Sequence, residues 1–196
     1  MAERTAEVER NTKETRIKVR LDLDGQGQTD IATGIPFLDH MLTLMAAHGF
    51  LDMDIIAQGD IDVDFHHTVE DLGLVLGEAL DMALGDRMGI RRYGHAVTPM
   101  DEALAAVTVD LSNRPFLVFN LPGPTGSGNR FDPVLSKEFF RAFSNQSGMN
   151  LHINVQYGEN EHHIIESIFK ATGRALDQAV ALDSRVQGVR SSKGAL

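Results

Sequence analysis

The chain has 196 residues, no cysteine and a formal net charge of −10. Without thiolates there are no disulfides, and any bound metal must be held by His, Asp or Glu. No run of Lys or Arg forms a basic stripe and no apolar run reaches the ~20 residues of a membrane span, which argues against nucleic acid, anionic lipid surfaces and membrane insertion as partners.

In chain order, Met1-Ala2-Glu3-Arg4-Thr5-Ala6-Glu7 is too charged for a secretory signal, so a cytoplasmic protein is expected. Residues 14–23 alternate, with Ile17, Val19, Leu21 and Leu23 on one face, as a half-buried strand does. Asp24-Gly25-Gln26-Gly27 reads as a hairpin turn returning through Thr29-Asp30-Ile31. Pro36 opens a helix carrying Phe37, Leu38, Met41, Leu42, Leu44 and Met45, and His48-Gly49 closes it. A strand pair is expected at 53–56 and 61–65, turning at Gly59-Asp60. Helical spacing of Val69, Leu72, Val75, Leu76, Ala79, Leu80 and Ala83 predicts a helix over 67–84, ended by Gly85.

The order then repeats. Strands are expected at 92–98, 103–111 and 116–120, followed by a Gly/Pro loop at 122–129. A helix from 133 to about 144, a strand at 151–157 and a helix from about 160 to 182 complete the pattern. The expected fold is α+β: two similar βα-type halves from internal duplication, residues 1–88 and 89–196, packed as one unit. Each half should hold an antiparallel or mixed sheet with two helices on one face. The tail Ser191-Ser192-Lys193-Gly194 has no periodicity and by composition alone would be frayed chain.

One pattern occurs twice, 96 residues apart. His66-His67-Thr68-Val69-Glu70 leads to Gly77-Glu78-Ala79-Leu80-Asp81, and His162-His163-Ile164-Ile165-Glu166 leads to Gly173-Arg174-Ala175-Leu176-Asp177. At a helix start, His66 and Glu70 share a face, as do His162 and Glu166, while His67 and His163 point about a quarter-turn away. One ion can take the i, i+4 pair but not all three groups of a copy. A reciprocal arrangement follows, in which His67 joins the His162/Glu166 site and His163 joins the His66/Glu70 site. His40, in an otherwise apolar helix, becomes a candidate fourth ligand, and Glu138 stands in the matching helix of the second half. Nitrogen and oxygen donors alone leave Mn²⁺, Fe²⁺ and Zn²⁺ open.

These motifs together resemble imidazoleglycerol-phosphate dehydratase. The resemblance runs through Thr12-Lys13-Glu14-Thr15, Gly34-Ile35-Pro36-Phe37-Leu38-Asp39-His40-Met41-Leu42 and Phe65-His66-His67-Thr68-Val69-Glu70-Asp71. It continues in Gly89-Ile90-Arg91-Arg92-Tyr93-Gly94, Met100-Asp101-Glu102-Ala103-Leu104 and Asn113-Arg114-Pro115. It closes with Gly158-Glu159-Asn160-Glu161-His162-His163-Ile164-Ile165-Glu166, Phe169-Lys170-Ala171 and Ser192-Lys193-Gly194.

The resemblance implies dehydration of D-erythro-imidazole-glycerol phosphate to imidazole-acetol phosphate in histidine biosynthesis. The implied route binds the ring as imidazolate between two Mn²⁺ ions and passes through a diazafulvene-like intermediate. It assigns His40, His67, His162 and Glu166 to one metal, and His66, Glu70, His163 and Glu138 to the other; some family members have His at the Glu138 position. Glu14 resembles the family's acid/base carboxylate, with Glu70 and Glu166 at the reacting centre. Arg92, Arg114, Lys170, Ser192 and Lys193 match its phosphate-binding positions, with Asn113 where Gly is common, and the tail would order over substrate. The implied assembly is a homo-oligomer of 24 subunits with active sites at subunit contacts. A dinuclear metal hydrolase, or a metal-storage or assembly module, remain rival readings of the same ligands.

Overall fold

Alternation in the sequence becomes a division of faces in the sheets. In β2 (Thr15–Asp22), Ile17, Val19 and Leu21 are buried while Arg16, Lys18 and Arg20 face solvent. The computed structural model describes residues 3–121 and 131–196. The loop expected at 122–129 therefore lies outside the described residues.

The first half runs β1 (Thr5–Asn11), β2, β3 (Thr29–Ala32), α1 (Pro36–Gly49), β4 (Asp52–Gly59) and α2 (His66–Leu84). The second repeats it as β5 (Tyr93–Met100), β6 (Ala103–Asp110), β7 (Phe116–Asn120), α3 (Pro133–Ser147), β8 (Asn150–Tyr157) and α4 (Glu161–Val180). The sheets have the same order, β1-β2-β4-β3 and β5-β6-β8-β7. In each, the final pair is parallel and the others antiparallel. This is the duplicated α+β architecture expected from the sequence.

The helices of one half pack on those of the other, α1 against α4 and α2 against α3, while α2 also covers the first sheet and α4 the second. Glycines set these approaches. A Cβ at Gly73 would lie 2.5 Å from the Phe139 carbonyl oxygen, and one at Gly77 would lie 2.7 Å from that of Phe143. A Cβ at Gly173 would collide with the Met45 carbonyl oxygen, and one at Gly49 would stand 3.0 Å from that of Gly173. Gly77 and Gly173 are the glycines of the repeated motif.

Two expectations are corrected, and one strand is added. Residues 29–31 do not return as a hairpin beside β2; β3 crosses over and pairs in parallel with β4. The cause is Asp52, whose Oδ1 accepts the N–H groups of Gln26 and Gln28, both at 2.8 Å, and carries the loop to the edge of β4. Residues 61–65 form no strand. Val63 N–H closes a turn on the Asp60 carbonyl at 2.8 Å, and the Val63 side chain is exposed, so the alternation there finds no sheet. Strand β1 went unexpected because only Ala6 and Val8 point inward among charged neighbours, as befits an edge strand.

Replacing a helix glycine by alanine ordinarily gains about 1 kcal/mol, whereas overpacking against backbone costs about 1–3 kcal/mol. Gly73→Ala and Gly77→Ala should each lower the urea midpoint of unfolding, the clash outweighing the propensity; a raised midpoint would contradict the close α2–α3 approach.

Candidate active site

Both copies of the motif lie at a helix start, and in each a side-chain oxygen two residues upstream binds the N–H of the first histidine. The Asp64 carboxylate accepts the His66 N–H at 2.8 Å, and the Asn160 side-chain oxygen accepts the His162 N–H at 2.9 Å. Each acceptor lies two residues before the first histidine, a repeated feature that motif reading had missed. Each contact satisfies a free N–H of the first turn; Asn160 is the N-cap of α4, whereas Asp64 lies one residue before the N-cap of α2.

On α4, His162 and Glu166 stand one turn apart, with Nε2 3.1 Å from Oε2. The α1–α4 crossing adds His40, whose Nε2 is 3.8 Å from the same oxygen. One ligand atom from each of these three residues lies within 4.8 Å of the other two, the one such group found among the described residues. The Glu166 side chain is only 8% exposed. Burial opposes its ionisation, but Lys170 Nζ at 2.6 Å and His162 outweigh that, and its pKa sits below the ordinary carboxylate value. Two imidazoles and one ionised carboxylate make a donor set that fits a first-row divalent cation. A cavity of about 710 Å³ adjoins it, lined by Phe37, Ile61, Phe65, His162 and Ile165 among others.

The remaining expected ligands are arranged differently within a single chain. His66 Nε2 lies 3.2 Å from Glu70 Oε2. Arg141 reaches Glu70 at 3.2 Å and also pairs with Glu138, so the two carboxylates meet on one guanidinium across the α2–α3 contact. His67 Nδ1 is 3.0 Å from Asp60 Oδ2 and 3.8 Å from Glu14 Oε2. His163 Nδ1 is 2.7 Å from Glu102 Oε2. Neither His67 nor His163 joins the opposite copy's His/Glu pair inside one chain. Hydrogen bonds to Asp60 and to Glu102 raise the pKa values of His67 and His163 respectively. Glu102 is lowered to about 2, first by the Asn160 N–H and then by His163.

A second cavity, of about 670 Å³, is lined by Arg92, Tyr93, Arg114, Arg190, Ser191, Ser192 and Lys193. Arg92 makes three hydrogen bonds there. Its Nε and Nη2 grip Asp110 at 2.6 and 3.0 Å, and its Nη1 donates to the Arg190 carbonyl at 2.7 Å, tying the tail to the start of β5. Arg114 stands 3.8 Å from the same carboxylate. Asn113 before it has φ 54°, a left-handed conformation that Asn accepts nearly as readily as Gly. Lys170 is elsewhere, paired with Glu166.

A sequence model described as imidazoleglycerol-phosphate dehydratase matches residues 33–176. The chain belongs to the imidazoleglycerol-phosphate dehydratase family. Its likeness to individual members is nearly end to end. It is 61% identical to the imidazoleglycerol-phosphate dehydratase of Desulfosudis oleivorans, over 98% of this chain and 99% of that one. It is 57% identical to that of Geobacter sulfurreducens, over the same shares. Among solved structures, the Staphylococcus aureus enzyme matches with a TM-score of 0.82 at 40% identity, over 91% of this chain and 99% of that one. The Pyrococcus furiosus enzyme matches at 0.84 and 38%, over 96% and 100%.

Within this family fold, Asp60, Glu102, Asp110, Arg141 and Arg190 touch the candidate site residues, yet motif reading gave them no role. A lysine at position 92 would keep the charge but could not hold both Asp110 oxygens and the Arg190 carbonyl together. In Arg92→Lys, amide hydrogen exchange across residues 188–194 should rise roughly tenfold, the loss of one charge-assisted bond. Unchanged exchange by mass spectrometry would mean that other contacts hold the tail.

Proposed function

We propose that the chain dehydrates D-erythro-imidazole-glycerol phosphate to imidazole-acetol phosphate, acting in the cytoplasm with two Mn²⁺ ions per active site. Membership of the family makes it a carbon–oxygen hydro-lyase of histidine biosynthesis. The observation that carries the finer reading is the meeting of His40, His162 and Glu166, drawn from helices of different halves into one donor set. This set supports one ion. His66, Glu70 and Glu138, gathered about Arg141, support the second. His67 and His163 would be supplied across a contact by a second copy of the chain, since neither joins the opposite pair internally. Exposed Ile56, Val63, Phe116 and Tyr157 offer apolar surface for such contacts, in line with a 24-subunit homo-oligomer.

Bound metal would supply Lewis-acid stabilisation of negative charge on the substrate's imidazole, without which the carbon-bound proton is not acidic. The chain's own groups do the rest. Glu166 and Glu70 keep negative charge facing the cations. Glu14 moves a proton at its carboxylate, next to His67. With the ring so stabilised, the hydroxyl on the carbon beside it would leave as water on receiving a proton, through a diazafulvene-like intermediate, and removal of the proton on the next carbon would give the enol of the product. Arg114, Ser192, Lys193 and the Asp110-held Arg92 orient the phosphate, and Lys170, held by Glu166 in the free chain, adds a further cation.

Full-length protein should turn over imidazole-glycerol phosphate with Mn²⁺, lose that turnover on chelation and recover it on adding the metal. A chain ending at Gln187 should lose on the order of 10²-fold in kcat/KM, as expected for charge-assisted phosphate contacts. No metal-dependent dehydration by the full-length protein would overturn the assignment. Ester or amide turnover indifferent to the truncation would favour a hydrolase instead. His162→Ala should lower the bound manganese per chain in elemental analysis and weaken assembly, and an unchanged metal content would refute the ligand role.

A further inference from the structure

Each repeated pair has a second histidine, and each second histidine has a carboxylate at Nδ1. Asp60 Oδ2 lies 3.0 Å from His67 Nδ1, and Glu102 Oε2 lies 2.7 Å from His163 Nδ1. An ionised carboxylate can only accept, so Nδ1 must carry the proton and the neutral ring keeps its lone pair on Nε2. That is the tautomer an Nε2 ligand needs, and a carboxylate behind the ring also makes that nitrogen more basic. The nearest acid to His163 Nε2 is Asp101 at 3.7 Å, beyond hydrogen-bond range.

The two carboxylates come from different places in the repeat. Glu102 directly precedes β6, and the residue directly preceding β2 is Glu14. Glu14 is therefore the positional counterpart of Glu102, yet it stands 3.8 Å from His67 Nδ1 and makes no hydrogen bond to it. Asp60, in the turn after β4, has taken over the contact. Glu102 has a second task, because its Oε1 accepts the N–H groups of Asn160 at 2.8 Å and Glu159 at 3.2 Å. It thus fixes the entry of α4 as well as the ring. Asp60 carries no such load: its Oδ1 is buried with no partner among the described residues.

We propose that Asp60 and Glu102 are positioning residues that set the Nε2-ligating tautomer of His67 and His163, and that the substitution of Asp60 for a Glu102-like contact is what frees Glu14 for substrate. The inference rests on the reading of His67 and His163 as metal ligands.

Amide variants give a direct test. In Glu102→Gln the oxygen can still cap Asn160 and Glu159, but the amide NH₂ then donates to Nδ1 and moves the ring proton to Nε2. Asp60→Asn does the same to His67 with no backbone contact to lose. Each variant should bind Mn²⁺ roughly ten- to hundredfold more weakly at one of two sites, followed by electron paramagnetic resonance of free Mn²⁺, at an unchanged thermal midpoint. Wild-type affinity in both amide variants, with His163→Ala losing an ion, would overturn the positioning role and leave the ligand reading standing. Wild-type binding by His163→Ala would instead defeat the ligand reading itself. A loss in Glu102→Gln alone would also count against the inference, because Asp60→Asn should act on His67 in the same way.

Discussion

Everything at the candidate metal centre depends on how closely α1 can approach α4. Gly173 has no side chain where one would strike the Met45 carbonyl, and Gly49 faces it from the other helix. Because backbone meets backbone there, His40 on α1 comes within reach of His162 and Glu166 on α4. A methyl group at either position would push the helices apart, and a shift of an ångström matters for donor atoms that must converge on one ion. The repeated motif thus carries both candidate ligands and the glycine that brings the opposing helix to them.

The local electrostatics follow from that geometry. Glu166 is buried, and burial alone would favour its neutral form; Lys170 reverses the balance at a distance of 2.6 Å. The Glu166 pKa is lowered, so the stability contributed by its charge is present above the unfolded carboxylate pKa and is lost as pH falls through the folded value. The acid side of pH is accordingly where both the ion pair and the cation-binding charge disappear. Arg141 plays a different part, pairing with Glu138 on its own helix and with Glu70 across the α2–α3 contact. Acidic groups can gather in these places because a cation of the chain itself compensates them.

Much of the fold was legible because its periodicities are strong. Seven apolar positions at helical spacing marked α2, and strict alternation marked β2. What stayed hidden depended on contacts distant in sequence. The course of β3 is decided by Asp52, more than twenty residues beyond the turn it holds. The apolar alternation of 61–65 is real but has no partner strand, and β1 shows too few inward apolar residues to announce itself. At the site, the His-His-x-x-Glu copies and His40 could be read directly, whereas the carboxylates behind His67 and His163 could not. Glu102 and His163 are separated by 61 residues and meet only because the β5–β6 turn packs beside the start of α4.

The duplication also shows where the halves had to stop being alike. Arg4, just before β1, is the counterpart of Arg92 before β5, and it makes the same fork: Nε to Asp24 at 2.9 Å and Nη1 to the Val180 carbonyl at 2.5 Å. Both arginines therefore clamp a carboxylate, Asp110 at the end of β6 or Asp24 in the turn just past β2, and bond a carbonyl of the C-terminal region. Their surroundings differ in sign. The cavity at Arg4 is lined by Glu3, Asp22 and Asp24 beside Arg20, whereas that at Arg92 gathers Arg114, Arg190 and Lys193 about a single Asp110. Acids outnumber cations at the first, whereas guanidinium and ammonium groups dominate the second, so the local potential has opposite sign at the two. An imidazole ring is nearly symmetric toward two metals, but a phosphate tail is not, so a substrate with both needs a frame that repeats its ligands and breaks its charge. One arginine fork sits among acids and the other among cations on an unchanged fold, and under the proposed function that difference of charge would give the substrate one orientation.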